Sequence, residues 1–217
     1  MRSQQTPTRP QRHLGIVNLA LAGLVFWGWL VLTATAGTPT GERLEIADAA
    51  GKPVLNLTRD ADHVSVGDGA GAPLLLGARK APGRTDYRLP DGTAFATTKG
   101  DPDVFKLTAP DGRLLRKVKR DEDRIKIADN AENAGAAVLR RRGEDKWELE
   151  IDKESFGKVK DYPDPAGTGL KVKDRAGETR YRLGNTPLTP VPLVLLIPGL
   201  PAAEAQAIMA EGWLRGW

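Results

Sequence analysis

No cysteine occurs anywhere in the 217 residues. That absence alone excludes disulfides, thiolate nucleophiles and zinc–thiolate centres, so any folded part must be held by its core. Histidine is nearly as scarce, with only His13 and His63. A histidine metal cluster or a Ser-His-Asp triad would have to rest on His63, since His13 lies in a basic leader. Also missing are a G-x-S-x-G elbow, a phosphate loop and a dinucleotide glycine signature. An excess of positive charge is lacking too, despite a net charge of +4 and a pI of about 9.4. Arg2, Arg9 and Arg12 precede an uncharged segment, and with these set aside 29 bases stand against 28 acids. Neutralising a phosphate backbone needs a concentrated surplus of Lys and Arg, so no nucleic-acid partner is expected.

What is present, first of all, is a pattern stated twice. Residues 43–70 slide over 104–131 without a gap, pairing Gly51 with Gly112, Arg59 with Arg120, Asp60 with Asp121, Asp62 with Asp123, Asp68 with Asp129 and Ala70 with Ala131. Apolar positions keep their places as well, Leu44 over Phe105, Ile46 over Leu107, Leu57 over Val118, Val64 over Ile125 and Val66 over Ile127. An internal duplication is the expected organisation. It sets His63 over Arg124, a strand position on an exposed face.

Leu14 to Leu32 carries no charge, and nineteen helical residues would span roughly 28 Å, the thickness of a bilayer core. The preceding arginines would keep the short 1–13 leader cytoplasmic. A transmembrane anchor over 14–36 is therefore expected, with a cleaved signal peptide as the competing reading, because Ala34-Thr35-Ala36 fits a small-x-small cleavage site. Both place the remainder outside the cytoplasm, either tethered to the cell membrane as a single-pass protein or secreted after cleavage at Ala36. Residues 37–42 read as a linker.

From Arg43 onward the apolar period is two. Phe105 and Leu107 flank Lys106, Val118 lies between Lys117 and Lys119, and Ile125 and Ile127 flank Lys126, as in strands buried on one side. Turn signals separate them at Ala50-Gly51, Pro90-Asp91-Gly92, Pro110-Asp111-Gly112 and Ala176-Gly177. The spacing predicts six strands in each repeat, 43–99 and 104–160. About twelve antiparallel strands favour a closed β-barrel, which leaves no edges to hide. A further hairpin is expected at 170–173 and 179–183, an apolar strand at Leu193–Ile197, and a hydrophobic helix over 201–215 begun by Pro201. Ala205, Ile208, Met209, Gly212 and Trp213 share one face of that helix, and its apolar surface is wide enough to demand burial on most sides.

A run of strands in two repeats, ending in one apolar helix, resembles the tubby carboxy-terminal superfamily, which includes the LURP-one-related proteins and phospholipid scramblases. The likeness is carried by Phe105-Lys-Leu-Thr-Ala-Pro-Asp-Gly112-Arg-Leu-Leu-Arg-Lys-Val118 and by the Ala202–Trp217 tail, and it would cover 43–217. It implies a closed barrel enclosing a hydrophobic helix. No Lys/Arg pair of this chain matches the phosphoinositide site of tubby domains, and the chain lacks the cysteines that scramblases palmitoylate.

The densest cationic feature is Arg140-Arg141-Arg142, with Lys117 and Lys119 on a preceding strand. These five form the candidate contact for an anionic lipid or an envelope polymer, held near the bilayer by the anchor. Arg116 and Arg120 would point away from Lys117 and Lys119 unless a bulge intervenes. The acidic loop Asp129-Asn130-Ala131-Glu132-Asn133 offers oxygen ligands but lacks the EF-hand spacing, so it reads as a solvated turn. Glu148, Glu150 and Asp152 alternate with Trp147, Leu149 and Ile151, as on an exposed face. The expected function is a membrane-tethered, non-enzymatic binding or structural module, with no metal, cofactor or catalytic residue. The alternative is an envelope hydrolase working with carboxylates.

Overall fold

The computed structural model describes residues 41–217 except 131, 133, 134, 165, 166 and 185. The anchor or signal expected over 14–36 lies outside them. Among the described residues, no helix is long and apolar enough to cross a membrane.

Alternation is the local rule that makes the strands. In β1 (Glu42–Asp48), Leu44 and Ile46 are buried while their neighbours are wet. The same two-faced pattern continues through β2 (Pro53–Arg59), β3 (His63–Asp68), β4 (Pro73–Ala81), β5 (Arg84–Arg88), β6 (Ala94–Asp101) and β7 (Val104–Thr108). It goes on through β8 (Leu114–Asp121), β9 (Arg124–Ala128), β10 (Ala137–Arg141) and β11 (Lys146–Ile151). The last three are β12 (Glu154–Asp164), β13 (Gly167–Asp174) and β14 (Thr179–Leu183). Each strand pairs with its sequence neighbours, and β14 pairs with β1 through Ile46 opposite Leu183, which shuts the ring. The barrel thus has fourteen strands rather than about twelve. The expected further hairpin is not an appendage: it supplies β13 and β14, and without them β12 and β1 would be open edges.

A repeated turn joins many of these strands. The Asp48 Oδ1 accepts the N–H groups of Ala50 and Lys52, and the Asp68 Oδ1 those of Ala70 and Ala72, all at 2.9 Å. Gly51 and Gly71 follow with φ of 89° each, a value that a side chain would strain, and each donates its N–H to the same aspartate's carbonyl at 3.0 Å.

Fourteen strands about 4.8 Å apart, tilted by about 40°, enclose a ring roughly 28 Å across between backbones, too wide for wall side chains to fill alone. The chain fills it with its own end. Helix α1 (Ala202–Leu214) has Ala205, Ala207, Ile208, Met209, Ala210, Gly212 and Trp213 buried, in one cluster with the inward side chains of the wall. Gly212 lets Trp217 close on the helix: a Cβ there would come within 2.5 Å of the Trp217 ring. Leading into α1, the apolar run expected as a strand at Leu193–Ile197 is instead a short 3-10 helix, Val191–Leu196. A short apolar run does not by itself distinguish strand from helix. Here every strand edge of the ring is already taken, and Pro192 sits in the first turn. Its Leu193 and Val194 pack into the same core.

Candidate anion-binding surface and the barrel mouth

At the carboxy-terminal end of α1 the lumen holds charge. Glu211 is only 3% exposed, and a carboxylate so dehydrated needs partners. The hydroxyls of Tyr87 on β5 and Thr98 on β6 donate to its Oε2 at 2.8 and 2.9 Å. Arg215 Nε donates to Oε1 at 2.8 Å. Burial, and then the Glu211 charge beside it, push the Tyr87 phenol well above its ordinary value, so it remains a donor. The Arg215 guanidinium lies 4.8 Å from the centroid of the Phe105 ring and donates to the Asp101 carbonyl. Arg59 stacks 4.7 Å over Trp213 and donates to the Trp213 carbonyl, one of the last acceptors of the helix. Near the other end of α1, Arg116 of β8 turns inward to Glu204 at 3.0 Å. Together these pairs fix the depth and rotation of the helix within the ring.

Above Glu211 and Arg215 the mouth opens into a cleft of about 680 Å³, rimmed by Arg79, Lys80, Arg84, Asp62 and Asp101. Its charges are mixed. Arg84 is paired with Asp86 at 3.2 Å, and Asp62 and Asp101 offset Arg79 and Lys80 in sign. The cleft therefore has no strong preference for one ligand charge.

The sequence-expected contact residues fall on two strands separated by β9. Lys117 and Lys119 lie on β8, Arg140 and Arg141 on β10, and Arg142 just beyond it. Arg116 pairs inward with Glu204 and so points away from Lys117, as alternation requires, although the ladder slips between Leu107 and Thr108. Arg140 bonds Glu150 at 3.2 Å, and Arg142 bonds both Glu150 and Glu148. Hydrogen bonding from Ser155, then the charges of Lys146 and Arg142, hold the Glu148 carboxyl below its usual range against its partial burial. Arg141 donates to the Gly143 carbonyl at 3.1 Å. The triple arginine is thus largely matched by neighbouring acids and carbonyls. Lys119 is paired with Asp121 at 3.4 Å. In the acidic loop, the Asn130 amide donates to Asp129 at 3.1 Å. Among the described residues, no group of three His, Asp or Glu is placed to hold a metal ion.

Register reveals a cationic feature that linear spacing hides. Arg84 on β5 faces Lys99 on β6, Lys99 faces Lys106 on β7, and Lys106 faces Lys117 on β8. All four alternate with buried inward residues, so they form one outward row across four strands. Lys99 and Lys106 are exposed and carry no ion pair among the described residues. One register further along, Lys119 of β8 faces Lys126 of β9. In sequence these residues are 15, 7 and 11 positions apart, and only the hairpin geometry brings them together. Comparison with family models, curated proteins and solved structures finds no match to this chain.

Proposed function

We propose that this chain is a non-enzymatic binding module, tethered to a membrane by its 14–36 segment, whose barrel wall contacts anionic lipid headgroups. The observation that carries the reading is the row Arg84–Lys99–Lys106–Lys117, in which like charges stand directly opposite one another. Such pairs destabilise a sheet, and the central Lys99 and Lys106 carry no ion pair among the described residues, so these two fit a surface whose counter-charge comes from a partner. Each Lys or Arg brought to an anionic leaflet contributes about 1 kcal/mol. The lumen supports the non-enzymatic part of the reading, because α1 and the 3-10 helix occupy the space where a barrel usually takes a ligand. The enclosed apolar helix also supports kinship with the tubby-like barrels, from whose expected strand number this ring departs.

The test is sedimentation of residues 38–217 with phosphatidylcholine vesicles, with and without phosphatidylglycerol. Binding should require the anionic lipid, weaken as salt rises, and fall in the double variant Lys99→Gln/Lys106→Gln. Equal binding to neutral and anionic vesicles rejects the proposal.

A further inference from the structure

A second cationic row stands on the other side of the ring. Lys146 of β11 faces Lys160 of β12, Lys160 faces Lys171 of β13, and Lys171 faces Arg182 of β14. In the next register Lys158 faces Lys173. These side chains alternate with the buried Trp147, Val159, Leu170 and Val172, so they too point outward. Some of the charge is matched, Lys160 by Asp145 at 3.0 Å and Lys146 by Glu148 at 3.9 Å. Lys158 stands opposite Glu148 on β11 without forming an ion pair to a described residue. Lys171 and Lys173 lie 5.2 and 5.4 Å from the centroid of the Tyr162 ring. A ring face orients an ammonium but leaves its net charge in place.

The position of this row matters more than its composition. The first row spans β5–β8 and the second β11–β14, so their centres lie six strands apart one way round the ring and eight the other. They occupy nearly opposite walls. Between them on the shorter side lie Lys126 of β9 and then a seam of matched charge, Arg140 and Arg142 with Glu148 and Glu150. On the longer side the outer faces of β1–β4 present Thr58, Ser65, Leu76 and the Arg43–Glu45 pair. Two rows separated in this way cannot lie on one flat anionic surface together.

We infer that the barrel bridges two anionic lipid surfaces, one on each row, an inference that rests on the contact proposed above for the first row. The partner of the second row is a lipid face because the row has the same register-built lysine geometry as the first, with Tyr162 suited to a headgroup region, where an apolar ring with a polar tip is at home.

The test uses the full chain held one copy per disc in neutral phosphatidylcholine nanodiscs, which occupy the apolar 14–36 segment. These are mixed with phosphatidylglycerol-containing vesicles. Flotation reads binding and light scattering reads clustering. The wild type should bind and cluster the vesicles. The triple variant Lys158→Gln/Lys171→Gln/Lys173→Gln should still float with vesicles and lose clustering, whereas Lys99→Gln/Lys106→Gln should float less and lose clustering too. Binding by the wild type without clustering overturns the bridging inference and leaves the first-row contact standing. Clustering by the triple variant at the wild-type level also overturns it, since self-association would then suffice. If the wild type binds no anionic vesicle, the proposed function itself falls, and the bridge with it.

Discussion

The charges inside this barrel and the lysines at the middle of its β5–β8 wall follow opposite rules. Within the lumen, Glu211 is matched donor by donor, and Glu204 meets Arg116. On the β5–β8 wall, lysine faces lysine. The difference is one of solvent. A buried carboxylate without partners costs several kcal/mol, whereas exposed like charges are screened by water and salt and cost only a few tenths. Pairing in the lumen is thus required for folding, while the unpaired charge of Lys99 and Lys106 on the wall is tolerated.

That contrast can be broken experimentally, beginning where the effect is largest. Glu211→Ala strips Tyr87, Thr98 and Arg215 of their acceptor and should lower unfolding free energy by about 3–5 kcal/mol, read as an earlier urea midpoint. Tyr87→Phe removes one of those donors and should cost about 1 kcal/mol at neutral pH. It should also change the alkaline limb. Folded Tyr87 keeps its proton above the ordinary value of 10.0, whereas the unfolded chain releases it there. Stability contributed by this group is therefore complete below that pH and declines as pH rises above it. The Phe variant should show a shallower decline in thermal melts taken between neutral and strongly alkaline pH.

On the wall the effects shrink. Arg140→Gln breaks the bond to Glu150 at a partly wet site and should cost under about 1 kcal/mol. Smallest, and opposite in sign, is Lys99→Gln/Lys106→Gln, which should leave the midpoint unchanged or raise it by a few tenths of a kcal/mol, with the gain fading in high salt. A loss of more than about 1 kcal/mol there would mean that the row serves the fold rather than a partner.

How far this could be read from the sequence depended on the range over which each interaction acts. Alternation in stretches such as Phe105-Lys106-Leu107 is local and marks a strand wherever it occurs. The Asp-Gly turns are local as well, so most strand positions could be read directly. Ring closure was not local. Whether Thr179–Leu183 ends a small hairpin or seals the barrel depends on its pairing with β1, over 130 residues away in the chain. Leu193–Ile197 has no period of its own and takes its form from the lumen around it. Glu211 reads in sequence as a polar position on a helix flank. Only the inward Tyr87 and Thr98 disclose its role, and each is more than 110 positions distant. The arginine triplet stands out in the sequence because its members are adjacent, yet the β10–β11 hairpin sets Glu148 and Glu150 beside it. The row that register assembles had no comparable linear mark.

The helix that packs the ring follows every strand in chain order. Nothing can therefore give the staves something to wrap until all of them have already been laid down, and the hoop must wait for its own plug. Thirteen of the fourteen strand pairings join neighbours along the chain, but the β1–β14 seam and the docking of the plug both wait for distant segments, and until they meet the two outermost strand edges stay bare.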